Sequence, residues 1–363
     1  MSRPTVAHIR LDAFRHNYLL ARKIHGGRAL AVVKANAYGH GAVPCAKAIE
    51  DDADGFAVAS IEEALALRQA GIAAPILLLE GFFEATELAE IAANNLWTVV
   101  HHIWQAEAVM AARLSKPLTV WLKMDSGMHR VGLEPEEYRA TYNKLKGHPN
   151  VEHIVLMNHF ACADEAISAH PLQQIGTFRS AIAGIDAPVS LSNSAGVLGW
   201  PLSNADWARP GIMLYGVDPV EGQAKDSGVP SGNHLRPVMR FESALISVRT
   251  ISRGEPVGYG RSFVAERTTR VGVVACGYAD GYPRVAPTGT PVAVDGKITR
   301  LIGRVSMDML TVDLTELPDA NLGSQVELWG DRVAVSEVAN RVGTIAYELL
   351  CNVKRARFQY SDT

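Results

Sequence analysis

Short apolar runs recur along the first two thirds of the chain: "ALAVV", "GFAVA", "PILLL", "WTVV", "LTVWLKM", "VEHIVLM", "PVSLS", and the stretch just before "RPGIMLYG". Runs of this length, bounded by turn residues, read as buried strands. Helix-like segments separate them. In "SIEEALALRQAG", Ser60 can cap the N-terminus, apolar residues fall at i, i+3 and i+4, and Gly71 closes the helix. "EATELAEIAANN" and "PEEYRATYNKLKG" read the same way. Strands alternating with helices of this length predict right-handed βαβ units and a parallel sheet. Eight such runs before about residue 215 favour a closed (β/α)8 TIM-type barrel over an open doubly wound sheet.

The pattern changes at "VDPVEGQAKDSGVPSGNHLRPV", rich in Gly, Pro, Ser and charge, which reads as a linker. Beyond it lie "MRFESALISVRTIS", "RVGVVACGYADG", "TPVAVDGKITRLIGRVSMDMLTVDL" and "SQVELWG", short β-rich runs broken by turn signals such as Asp295-Gly296. The expected organisation is a barrel over residues 1–230 and a mostly antiparallel β-domain over 231–363. No internal repeat or low-complexity tract is evident.

Composition narrows the function classes. With 363 residues, 48% hydrophobic and 20% charged, the chain is an ordinary globular protein. A net charge of -3 and the lack of a basic run or interleaved aromatic patch argue against nucleic acid as a partner. "MSRPTVAHIRLD" has no apolar signal region, and no segment approaches a membrane span. Cys45, Cys162, Cys276 and Cys351 are scattered, which argues against a zinc site or disulfide framework and suits a reducing cytoplasm. They read as small buried hydrophobes.

One residue raises a chemical question. "AVVKANAYGHG" finishes an apolar run on Lys34, where a barrel's strand ends gather their chemistry. A lysine there can simply reach into water. A partly desolvated amine is also a usable nucleophile toward an aldehyde cofactor such as pyridoxal phosphate. That cofactor needs a phosphate cup, a group facing its pyridine nitrogen, and an acid or base near the substrate's Cα. "SLSNSAGVLGW" offers Ser192, Asn193 and Ser194 before a short helical stretch, and "RPGIMLYG" adds Gly211 and Ile212. Arg209 is a candidate for the pyridine nitrogen. His159, in "MNHFACAD", follows another strand and is structural unless it has a partner.

These residues carry a resemblance. "AVVKANAYGHG" is similar to the pyridoxal phosphate lysine signature of alanine racemases, and the match continues through "LKMDSGMHRVG", "MNHFACAD", "LSNSAG", "RPGIMLYG", "VGYGRSF", "GYADGYPR" and "GRVSMDM". The motifs run in that family's order and spacing over nearly the whole chain. The C-terminal "CNVKRARFQY" departs from the Arg-Val-Pro-Arg ending frequent in the family.

The resemblance implies a barrel followed by a β-domain, pyridoxal 5'-phosphate as cofactor, and interconversion of L- and D-alanine. It implies that Lys34 holds the cofactor covalently and that Tyr38, Ser194, Gly211, Ile212 and Tyr347 bind its phosphate. His159 would lie beside the pyridine ring and Arg209 would face its nitrogen. Arg130 would contact the cofactor's phenolic oxygen and help hold the substrate carboxylate. Tyr259 would be the second catalytic base. Met307 would give a backbone N–H to the carboxylate with Asp308 beside it, and Tyr278 would line the entry. Lys123 matches a lysine that is carbamylated in some members and orients the arginine. The resemblance further implies a homodimer in which Tyr259 and Met307 of one chain complete the site built on Lys34 of the other.

Racemisation removes a proton from Cα and returns one to the opposite face, so two bases on opposite sides suffice. Lys34 can serve one face and Tyr259 the other. A phenol of ordinary pKa ~10 needs cationic or hydrogen-bonding neighbours to act near neutrality, and His159 and Arg209 are suitable. The rival readings are a broader amino-acid racemase, a decarboxylase on the same plan, and a non-catalytic pyridoxal phosphate carrier. The "VGYG" motif and the β-rich half argue against the last two.

Overall fold

A computed structural model describes residues 3–165, 167–220 and 234–362. The chain divides into two compact units: Phe14–Ala37 with Gly41–Arg236, and Pro237–Thr363 with Tyr38–His40 and the stretch ending at Ala13. The expected boundary at 230/231 lies outside the described residues. The second unit also takes in the chain's N-terminal segment, which a single cut in the sequence assigns to the barrel.

The first unit is the expected parallel barrel. Its sheet has nine hydrogen-bonded segments, all paired in parallel. The first two, Arg28–Ala29 and Ala31–Val32, are halves of one strand interrupted at Leu30. The first half pairs with Trp207–Ala208, the last strand, and the second with Phe56–Val58. The Leu30 N–H donates to Ala208 O at 2.9 Å and the Ala31 N–H to Gly55 O at 2.9 Å, so one strand bonds both neighbours and the sheet closes. The intervening strands are Ile76–Leu78, Leu96–Val100, Leu118–Lys123, Val151–Met157 and Val189–Ser190. Each coincides with an apolar run of the sequence.

Aromatic side chains help fill the barrel. Trp121 stacks on Trp97 with centroids 6.1 Å apart, and Trp207 meets both edge-on at 5.7 Å. Such pairs contribute about 0.5–1.5 kcal/mol beyond the area they bury. The helix expected after Ser60 runs Ile61–Gln69, with Gly71 at φ 92° just beyond it. Ser60 occupies the N-cap position, but its side chain does not cap the helix.

The second unit is β-rich. Its main sheet runs in the order Lys297–Arg300, Pro291–Val294, Gln325–Trp329, Met239–Ile251, Val6–Arg10 and Arg357–Ser361. Thr269–Val274 pairs with the far half of the long central strand and with Leu310–Asp313. The pairing is antiparallel except at the terminal strands, where Val6–Arg10 and Arg357–Ser361 run parallel. The terminal strand therefore forms despite its departure from the family's usual ending. Asp295 and Gly296 make the tight hairpin turn, both at positive φ (47° and 77°), as an Asp-Gly pair should. Trp329 lies 4.8 Å from Phe241 and 6.0 Å from Tyr282, and all three are fully buried.

The four cysteines are free thiols. Cys45 and Cys276 are buried as expected, whereas Cys351 is exposed.

Candidate active site

Lys34 sits, half-buried, just past the first barrel strand. The four residues after it, Ala35, Asn36, Ala37 and Tyr38, hold φ of 51°, 54°, 52° and 49°. A left-handed turn of L-residues costs roughly 1–2 kcal/mol per residue and persists only where the surroundings over-determine it. Here Glu63 Oε1 accepts the Ala35 N–H at 2.7 Å while Oε2 accepts the Ala59 N–H at 2.8 Å. Asn36 Oδ1 accepts the Ala42 N–H at 2.9 Å, and its carbonyl accepts the Gly41 N–H at 2.9 Å. Glu63 thus fixes the backbone next to Lys34 from the helix after the following strand.

Cations gather at the same end of the barrel. Lys123, the last residue of Leu118–Lys123, is 6% exposed. Burial, with Arg209, Arg130 and Lys34 nearby, pushes its amine down to about 7, opposed only by Asp125. His159 is held well below the usual imidazole range by burial and by the same neighbours: Arg209, Lys123, Arg130 and Lys34. It is therefore uncharged near neutrality, and the part it can play beside a phenol is a hydrogen-bonding one, not a cationic one. Arg209 is buried; one Nη donates to Ser190 O at 3.0 Å and to Ser190 Oγ, and the other to Asn158 O at 2.6 Å. Burial lowers its pKa to about 10, so the guanidinium stays charged at neutral pH.

Arg130 is exposed, at the end of a loop organised by Asp125. Asp125 Oδ1 accepts the N–H groups of Gly127, Met128 and His129 at 2.9, 3.0 and 3.1 Å. These backbone donors hold its carboxyl below the usual range against the cost of burial. Both loop organisers, Asp125 and Glu63, escape sequence reasoning. Their role lies in backbone bonds, and an acidic residue in a loop or a first helical turn has many other uses.

The two expected halves of a phosphate cup converge. Asn193 caps Ser194–Gly199, its side chain accepting the Gly196 N–H at 2.9 Å. Ser194 Oγ accepts the Gly211 N–H at 2.8 Å and the Met213 N–H at 3.3 Å. Ile212 opens the short 3-10 turn that follows Gly211. Ser192, the third residue expected there, is fully buried and bonds Ser203 O at 2.9 Å and Ser203 Oγ at 2.7 Å.

In the β-rich unit, Tyr38 is buried against Tyr347, ring centroids 5.6 Å apart. Burial, with Tyr347 and Cys351 beside it, raises the Tyr38 phenol well above its ordinary value. Gly39 makes the close approach possible: at φ 80°, a Cβ there would lie 2.2 Å from Leu350 O. Tyr259 stands 70% exposed in the turn Tyr259–Arg261, between Gly258 and Gly260, both at positive φ. Met307 is 53% exposed. Tyr278 is tied to its loop, the Tyr278 N–H donating to Ser306 O and the Ala279 N–H to Met307 O, each at 3.0 Å. Asp308 is half-buried, its Oδ1 held by Arg355 at 2.7 Å.

The family profiles described as "Alanine racemase, N-terminal domain" and "Alanine racemase, C-terminal domain" match residues 9–219 and 238–360. An alanine racemase of Pseudomonas syringae pv. syringae is 60% identical over 360 residues, covering 99% of each chain. The chain belongs to the alanine racemase family.

Other members frame it. A catabolic alanine racemase of Pseudomonas putida is 59% identical over 99% of both chains. The crystal structure of a biosynthetic alanine racemase from Pseudomonas aeruginosa superposes with a TM-score of 0.94 at 50% identity, covering 99% of each. An alanine racemase structure from Bartonella henselae with covalently bound pyridoxal phosphate superposes with a TM-score of 0.88 at 30% identity, over 99% of each chain. Among the racemase residues expected from sequence, the barrel brings together Lys34, Lys123, Arg130, His159 and Arg209, and separately Ser194 and Gly211. The β-rich unit brings together Tyr38 and Tyr347, and separately Tyr278, Met307 and Asp308.

Proposed function

We propose that this chain is a pyridoxal phosphate-dependent alanine racemase that interconverts L- and D-alanine by two bases, supplying or breaking down D-alanine. The observation that carries the reading is electrostatic. At one end of the barrel Arg209, Arg130 and Lys34 act to lower the Lys123 amine, which Asp125 acts to raise, and the same three with Lys123 act to lower the His159 imidazole. Like charges brought this close repel unless an anion joins them. A phosphorylated cofactor with a phenolate oxygen, and an amino-acid carboxylate, are anions of the right kind.

The residues fit that cofactor. Lys34 would hold it, while Ser194, Gly211 and Ile212, with the phenols of Tyr38 and Tyr347, would take its phosphate. Arg130 would meet its phenolic oxygen, and His159 would lie against its ring. When bound, pyridoxal phosphate supplies a sink for the electron pair left at Cα by proton removal. Arg209 can only donate, so a ring nitrogen that it faces stays an unprotonated acceptor and the sink is weak. A weak sink would favour return of the proton to Cα over transamination.

With the cofactor bound, the Lys34 amine would take or return the proton on one face of Cα. Tyr259 does so on the other. The Met307 N–H and Arg130 hold the substrate carboxylate, and Tyr278 narrows the entry. Tyr259 is exposed on its own chain, as a residue would be that completes the site of a second copy in a homodimer. The low pKa of the Lys123 amine leaves it free to react with carbon dioxide, which would turn a cation beside Arg130 into an anion that orients it. Four free thiols suit a cytoplasmic location, and no helix among the described residues is long and apolar enough to cross a membrane.

The deciding experiment is a racemisation assay on a panel of L-amino acids alongside the bound cofactor's visible absorbance. Strong preference for alanine is expected. Comparable rates on several amino acids would make it a broad racemase, and absorbance without turnover would make it a cofactor carrier.

A further inference from the structure

We propose that Asp280 is a positioning residue for the substrate carboxylate: through Arg3 and Arg355 it clamps the two loops that present Tyr278 and the Met307 N–H. The inference rests on the racemase reading, which gives those two loops their task.

Asp280 is completely buried, ending the turn Tyr278–Asp280. Its carboxylate is gripped from three directions. Arg3 approaches in a fork, Nη1 to Oδ1 and Nη2 to Oδ2, the latter at 2.8 Å. The Gly277 N–H donates to Oδ2 at 2.8 Å, and Arg355 Nε lies 3.6 Å from Oδ1. Both arginines then reach the residue after Met307. Arg3 Nη2 donates to Asp308 O at 2.7 Å, and Arg355 Nη2 donates to Asp308 Oδ1 at 2.7 Å. Asp280 and Asp308 are thereby joined by two independent bridges, one to the backbone and one to the side chain.

The bridges end just after the functional groups in the chain, on Asp280 beyond Tyr278 and on Asp308 beyond Met307. Between them the Tyr278 and Ala279 N–H groups meet Ser306 O and Met307 O. The contact is tight enough that a Cβ on Gly277 would lie 2.4 Å from both carbonyl oxygens. Among the described residues, no acceptor bonds the N–H of Met307, which is 53% exposed. Arg355 reaches the network from φ 50°, a conformation that disfavours a β-carbon-bearing residue, and the Lys354 N–H is anchored on Asp280 O at 2.8 Å. Two arginines on two carboxylates leave no net charge, so the network can be rigid without attracting ions of its own. The paired, fork-shaped geometry restricts orientation as well as distance.

The test is steady-state kinetics of Asp280→Asn in the holoenzyme. Asn keeps the shape and removes the charge that both arginines bridge. The Michaelis constant for L- and for D-alanine should rise about tenfold, the size of one weakened charge-assisted hydrogen bond. Turnover should change less than about threefold, and the cofactor's visible absorbance per chain should stay as in wild type. Propionate, which has the carboxylate but no amine, should lose inhibition by the same factor, a change that general loosening of the fold would not single out. Arg355→Gln, at a half-exposed position, removes one bridge and should raise the Michaelis constant about threefold, with Arg355→Lys recovering part of it. These two variants decide the matter if Asp280→Asn does not fold. Unchanged Michaelis and propionate constants, or a fall in turnover alone, would overturn the inference. A wild-type chain inactive on alanine would instead sink the racemase reading and this inference with it.

Discussion

Arg209 donates from Nη2 to the Asn158 carbonyl at 2.6 Å, and from its other Nη to Ser190. The buried guanidinium is thus held by carbonyl and hydroxyl oxygens, with burial the one cause that moves its pKa. A cation fixed in this way presents donors and no acceptor.

Arg209→Glu reverses that arrangement. The new carboxylate would face the carbonyls of Asn158 and Ser190, so the variant should unfold at lower urea concentration, by about 3 kcal/mol or more. Where the variant still binds cofactor, its carboxylate can accept a proton shared with the ring nitrogen. Stopped-flow spectra with alanine should then show new long-wavelength absorbance, and transamination should increase. An unaltered spectrum would mean that Arg209 does not face the ring.

Lys123 should make stability depend on pH. Its folded pKa is about 7 against the ordinary 10.5, so between those values the unfolded chain binds more protons. Stability should therefore rise with pH across that window, by up to about 1.4 kcal/mol per unit, while below pH 7 the cost of the buried ammonium is fully present. Urea unfolding of wild type and Lys123→Met in buffers purged of carbon dioxide checks this. The difference between them should grow in favour of wild type from pH 7 to 9, and a flat difference would place the amine's pKa elsewhere.

Tyr259→Ala should separate the two faces of Cα. Overall racemisation must fall equally in both directions, because the equilibrium between enantiomers is unity. Exchange of the α-hydrogen with deuterated water, followed by NMR for each enantiomer, distinguishes the bases. D-Alanine should still exchange through Lys34, while exchange from L-alanine should slow by about 10²–10⁴-fold. Equal slowing of the two would return Tyr259 to a binding role.

Lys34→Ala and Tyr259→Ala chains, each inactive alone, should regain activity when mixed under conditions of subunit exchange. A shared site requires some mixed dimers to hold one intact lysine and one intact tyrosine. Mixed dimers that form and stay dead would remove the claim that two chains build each site.

The barrel was legible in the chain because it follows from local patterning. An apolar run of "LTVWLKM" or "VEHIVLM" can bury itself only in a covered parallel strand, and eight of them separated by helices leave few topologies. Lys34, Ser194 and Arg209 could be singled out because each combines a reactive residue type with a strand end. Other features were decided only in three dimensions. "VAHIR" is five residues with no mark of which sheet it joins; it pairs with Met239–Ile251 and Arg357–Ser361 because those edges, far along the chain, offer free ladder groups. Glu63 and Asp125 look like surface acids until the folded backbone turns its N–H groups toward them. The same holds for Lys123: its residue type promises a cation, and only burial beside Arg209, Arg130 and Lys34 makes the neutral amine accessible near pH 7. Composition and spacing carry propensity and chemical type, whereas charge state, register and orientation depend on neighbours hundreds of residues away, as Arg3 and Asp280 are.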